Sequence, residues 1–89
     1  MHIRLHIFIS GHVQGVGFRY AARVKAHELH IAGWIKNRDD MRVEAVFEGP
    51  KEIVEKMVHW CYSGSPGNVE QVVHIEEDPE GIQGFYIRS

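Results

Sequence analysis

An α+β domain, with two helices covering one face of an antiparallel sheet, is what the sequence predicts. Three observations carry that expectation: apolar residues alternate at the start, two later stripes recur at helical spacing, and the short β-rich segments are bounded by glycine or proline. With 89 residues, 44% of them hydrophobic and 25% charged, the chain has the composition of one globular domain spanning 1–89. It is too apolar for a disordered chain and lacks the glycine period of a collagen.

Ile3, Leu5, Ile7 and Ile9 alternate with His2, Arg4, His6 and Phe8, so the first segment is a strand with one face in the core. Arg4 and His6 also interrupt its hydrophobicity. That argues against a signal-peptide core or a membrane span over Met1 to Ile9, and the expectation is a soluble, cytoplasmic protein with no membrane partner. Ser10 and Gly11 end the strand, and Gly11-His12-Val13-Gln14-Gly15-Val16-Gly17 follows as a loop. Phe18, Ala22, Ala26 and Leu29 then share one face of a helix that ends near His30.

Gly33 to Asn37 reads as the second strand and Arg38 to Met41 as a hairpin turn. Arg42 to Glu48 is the third strand, with Val43, Ala45 and Phe47 on one face. Gly49-Pro50 suits a helix start, and Ile53, Val54, Met57, Trp60 and Cys61 form the apolar stripe of a second helix running to Gly64. Beyond the Ser65-Pro66-Gly67 break, Val69 to Glu76 is β-rich, Asp78-Pro79-Glu80-Gly81 turns the chain, and Phe85-Tyr86-Ile87 is a short last strand. The order βαββαβ plus a short C-terminal strand fits a ferredoxin-like split βαβ sandwich. Many functions share that fold, so function has to be read from a site.

Charge and cysteine content narrow the choice. Ten Lys plus Arg against 12 Asp plus Glu leave a net charge of −2, which speaks against a nucleic-acid partner bound by wide polyanion coverage. The lone Cys61 rules out an internal disulfide, a zinc ribbon or a CxxC redox pair.

The chemistry concentrates in the loop between the first strand and the first helix. Its three glycines allow backbone N–H groups to turn inward onto one anion, and the helix N-terminus adds to that field. Arg19, in the first helical turn, can supply a guanidinium that bridges two oxygens of a tetrahedral anion. On glycine count alone, a tight structural turn followed by a surface arginine explains the run equally well. Neither a Walker A loop nor GxGxxG fits, because Gly17-Phe18-Arg19 stands where the first needs Gly-Lys-Ser/Thr and Tyr20 where the second needs glycine.

The run Gly11-His12-Val13-Gln14-Gly15-Val16-Gly17-Phe18-Arg19 resembles the phosphate-loop signature of the acylphosphatases. The resemblance continues through Gly33-Trp34-Ile35-Lys36-Asn37, Val43-Glu44, Glu48-Gly49, Gly64-Ser65-Pro66 and Phe85-Tyr86-Ile87-Arg88, nearly the whole chain in order. It implies a single acylphosphatase-like domain that hydrolyses the carboxyl-phosphate anhydride of acylphosphates to a carboxylate and inorganic phosphate. It implies no metal and no organic cofactor. By motif position, Arg19 holds the phosphoryl oxygens, the backbone amides of His12, Val13, Gln14, Gly15, Val16, Gly17 and Phe18 complete the cradle, and Asn37 orients water. The expected partners are a small acylphosphate substrate and inorganic phosphate or sulfate as ligand, and a monomer is expected. Two positions depart from the pattern: Asp40-Met41 replaces the usual Asp-Gly hairpin turn, so that turn can be longer, and His30 replaces a glycine at the end of the first helix.

Other residues read more simply. The seven histidines show no third ligand in register with His2 and His6 or with His27 and His30. Asp39 and Asp40 belong to a solvated turn, Cys61 to the packed helix stripe, and Trp34 and Trp60 to the core. Two competing functions remain in view. A non-catalytic anion-binding module needs the loop and Arg19 but not Asn37, and an RNA-binding sheet needs paired aromatics and basic residues on its central strands.

Overall fold

A computed structural model describes residues 1–89. The elements in chain order are β1 (His2–His12), α1 (Phe18–Leu29), β2 (Ala32–Asn37), β3 (Val43–Pro50), α2 (Lys51–Ser63), β4 (Asn68–Glu77) and β5 (Phe85–Ile87). All seven fall close to where the patterning places them, but β1 does not end at Ser10-Gly11: it runs on to His12, because Gly11 and His12 still pair with β4 beyond a register shift at Ser10/Gly11. The strands form one sheet in the order β4-β1-β3-β2-β5, in which the first four are antiparallel neighbours. β5 pairs parallel with β2, so the sheet is mixed.

The connection explains that last pairing. β4 ends beside Arg4, and Glu48 near the end of β3 pairs with Ala32 at the start of β2. The segment after β4 crosses these strand ends, and the Glu48 carboxylate accepts hydrogen bonds from the Glu80 and Gly81 N–H groups at 3.1 and 2.7 Å. Arriving where β2 begins, the chain can only run back along it.

Both helices lie on one face. Ile3, Leu5, Ile7 and Ile9 of β1 join Phe18, Ala22 and Ala26 of α1 and Val54, Met57 and Cys61 of α2 in a single buried cluster. β3 lies at the centre of the sheet and is buried on both faces, which is why Glu44 and Glu48 are enclosed among ion-pair partners.

At the two departures from the family pattern, the backbone takes the geometry a glycine would have taken. His30 caps α1 in the left-handed region at φ 59°, and the Ile31 N–H closes back on the Ala26 carbonyl at 2.8 Å. Met41 sits at φ 73° in a turn that runs from 38 to 42, closed by the Arg38 N–H on the Arg42 carbonyl at 2.8 Å. The turn is thus one residue longer than the Arg38–Met41 span expected. Of the two tryptophans expected in the core, Trp34 lies outside it and Trp60 packs against its edge. Trp34 is half-buried on the sheet face away from the helices, with the Arg88 guanidinium 4.4 Å above its ring, and Trp60 packs half-buried beside Phe18.

Candidate active site

Gly15 and Gly17 bend the loop toward the first turn of α1. Both take left-handed backbone, at φ 74° and 81°, which a side chain would strain, and the space where a Cβ would stand is open at each. Gly17 is also the N-cap of α1, and no side chain caps that end. The first amides of the helix are therefore left for another acceptor.

A cavity of about 230 Å³ opens at this point, lined by Val13, Gly15, Gly17, Phe18, Arg19, Tyr20 and Asn37. It brings Arg19 from α1 and Asn37 from the end of β2 onto one site, although 17 positions of sequence lie between them. Val13 and Phe18 are 1% exposed and form its apolar floor. The other loop residues of the expected cradle are placed differently. His12 pairs with Asn68 at the end of β1, Val16 packs against the core, and the Gln14 side chain turns away.

Gln14 has a task that the sequence did not disclose. Its Nε2 donates to the Arg38 and Arg42 carbonyls at 2.8 and 3.0 Å, tying the loop to the hairpin that follows Asn37. No pattern in the sequence signals it, since the acceptors are backbone carbonyls that any residue carries.

Two polar groups at this cavity have no partner within the protein. Arg4, Arg38 and Arg42 are held by carboxylates and Arg23 and Arg88 lie over aromatic rings, whereas Arg19 has neither kind of partner. The Asn37 Oδ1 is buried and accepts no hydrogen bond. A buried acceptor left without any partner costs on the order of 1–3 kcal/mol.

The surrounding charges are spoken for. Asp40 is held down to about 2, first by hydrogen bonds from Arg42 and then by Arg38. Burial would raise the Glu44 carboxyl, but hydrogen bonds from His6 and Arg38 outweigh it and its pKa lies below the ordinary value. Cys61 is buried on α2, which pushes its thiol up to about 12 and leaves it inert as a nucleophile. No group of three or more His, Cys, Asp or Glu stands in an arrangement that could hold a metal ion. A larger cavity of about 560 Å³ lies at the opposite pole, beside His2, His27 and His30. Its one carboxylate, Glu48, is already taken by Arg4 and two backbone amides.

Fold and site together define a ferredoxin-like domain with a glycine-bent loop, a free guanidinium and an unpaired amide oxygen at one cavity. Comparison with known proteins gives the class its name. The family model described as acylphosphatase matches residues 5–87. Acylphosphatases of Natronomonas pharaonis and Trichormus variabilis are 56% and 53% identical over 87 residues, covering 97% of this chain and 95% and 86% of theirs. The crystal structure of acylphosphatase from Bacillus subtilis superposes with a TM-score of 0.93 at 39% identity, covering 98% of this chain and 99% of that one. The chain belongs to the acylphosphatase family and is a hydrolase of acylphosphates.

Proposed function

We propose that hydrolysis takes place in the cavity between the glycine loop and Asn37, with Arg19 and the backbone amides of His12 to Phe18 holding the phosphoryl group and Asn37 holding the attacking water. Of those amides, Val13, Gly15, Gly17 and Phe18 belong to residues that line the cavity. The observation that carries this reading is the pair of unpartnered groups, the Arg19 guanidinium and the Asn37 Oδ1, on one cavity.

The chemistry asks little more. The water oxygen bonds to phosphorus, the bond from phosphorus to the acyl oxygen breaks, and the carboxylate departs with the electron pair. A carboxylate is a good leaving group and requires no protein acid to protonate it. Phosphoryl transfer through a loose transition state is accelerated mainly by positioning and by charge stabilisation on the equatorial oxygens. Arg19 provides a forked cation for those oxygens, and the Asn37 Oδ1 accepts one hydrogen bond from the water and so aims its lone pair. The water proton passes to a phosphoryl oxygen or to solvent.

On this reading the protein works as a cytoplasmic monomer without metal or organic cofactor, and inorganic phosphate or sulfate competes with the substrate. The experiment is phosphate release from an acylphosphate with a chelator present, together with a melting curve in phosphate at constant ionic strength. Hydrolysis that survives the chelator and a melting temperature raised by phosphate support it. Loss of activity to the chelator, or a melting curve that phosphate does not move, contradicts it.

A further inference from the structure

Beyond the phosphate cradle, one side chain at the cavity has no part in the fold. Tyr20 is 59% exposed, its hydroxyl joins no hydrogen bond to a side chain of the cradle, and it lines the cavity together with Arg19. The other aromatic residue of the cavity, Phe18, is 1% exposed and packs on Trp60 with ring centroids 6.0 Å apart. Tyr20 is therefore the aromatic surface that a ligand in the cavity can reach. One charged neighbour reaches its ring. Arg23, one helical turn further on, sets its guanidinium carbon 5.4 Å from the ring centroid.

Resting on the reading of the cradle given above, we propose that Tyr20 is a specificity-determining residue, a platform for the acyl group that favours acylphosphates with a planar aromatic acyl group. With phosphorus fixed by Arg19 and the loop, the acyl group must leave the cavity at the rim. The floor there is closed by buried Val13 and Phe18, and water must approach from the Asn37 side. The Tyr20 ring then offers a face on which a flat acyl group stacks, with the Arg23 guanidinium near the same ring. Acetyl groups cover little of such a face. Stacking that is equal in the bound substrate and the transition state lowers KM and leaves kcat unchanged.

The test compares benzoyl phosphate with acetyl phosphate in the wild-type protein and in Tyr20→Ala and Tyr20→Phe. Binding of the two methylene phosphonate analogues is measured alongside by calorimetry. The expected result is a loss of about tenfold in the benzoyl-to-acetyl ratio of kcat/KM in Tyr20→Ala, seen in KM and matched in analogue affinity. Tyr20→Phe keeps the wild-type ratio, and inhibition by inorganic phosphate stays as in the wild type. An unchanged ratio in Tyr20→Ala overturns the proposal, as does a loss in Tyr20→Phe equal to that in Tyr20→Ala. The two readings fail differently: a wrong cradle shows as phosphate and both analogues failing to bind the wild type, and a wrong platform shows as both analogues binding with a ratio that Tyr20→Ala does not change.

Discussion

Arg4, near the start of β1, and Arg19, in the first turn of α1, are used in opposite ways. Arg4 is enclosed by Glu48, Glu77 and Glu80 at 3.2, 2.9 and 3.6 Å, and the pairing continues through His6, Glu44 and Arg38 across the open face of the sheet. There, acid and base complete one another. At the loop, Arg19 has no carboxylate and Asn37 keeps a buried oxygen without a donor. The paired face is built for stability, since removing one member strands the rest, whereas at the other pole no protein group would lose a partner. On the proposed reading the contrast separates groups that hold the fold from groups that meet substrate, and substitutions can test it from either side.

The largest effect expected is at Arg19. Arg19→Ala lowers kcat/KM for an acylphosphate by about three powers of ten or more while the urea midpoint stays near that of the wild type, because no protein group loses a partner. Arg19→Lys recovers little, since an ammonium cannot bridge two phosphoryl oxygens. Near wild-type turnover in Arg19→Lys contradicts the forked contact.

Glu48→Ala gives the opposite pattern. It leaves the buried Arg4 guanidinium short of one carboxylate and frees the amides of Glu80 and Gly81, at a cost of about 3 kcal/mol in urea unfolding, with kcat unchanged. A change in kcat without a change in stability breaks the distinction between the two regions.

Acid should dissolve the paired face next. Glu44, Glu48 and Glu77 titrate below their ordinary value of 4.5 and Asp40 falls from 3.8 to about 2, so near pH 4 the folded state binds fewer protons than the unfolded chain. A depressed carboxyl contributes fully above its unfolded value and loses that contribution as pH falls through its folded one. The urea midpoint should therefore hold above about pH 5 and fall steadily from about pH 4.5 towards 2. A midpoint that does not change over that window removes the ion pairs from the account.

The smallest effects belong to the two left-handed residues. His30→Gly and Met41→Gly should each raise stability by on the order of 0.5–1 kcal/mol, the relief of left-handed strain less the entropy that glycine adds to the unfolded chain. A loss of stability on either substitution shows that the native side chain makes up for its backbone.

What could be read from the sequence was local. The alternation of Ile3 to Ile9, the stripe from Phe18 to Leu29 and the glycine run each depend on neighbours a few positions apart; the first two stand where the pattern places them, and the loop begins only at Val13, since Gly11 and His12 still pair with β4. Arg19 and Asn37 could be nominated because a distinctive loop precedes one and a familiar strand ends on the other. The rest depends on distant pairings. His6 meets Glu44 and Glu77 across separations of 38 and 71 positions, Gln14 clamps backbone carbonyls, and the direction of β5 follows from where β4 happens to end. Trp34 misled because a large aromatic in a strand reads as core, and only the sheet's uncovered face shows otherwise.

The central claim is that the unpaired Asn37 Oδ1 holds the attacking water, and Asn37→Ala tests it most directly through steady-state turnover, phosphate affinity and melting temperature measured on the same protein. The account predicts that kcat falls by about two to three powers of ten, phosphate affinity stays within a few-fold, and the melting temperature does not fall, because the lost oxygen had no partner in the protein. Full turnover in a folded Asn37→Ala protein would contradict it and move the activation of water to the substrate's own oxygens.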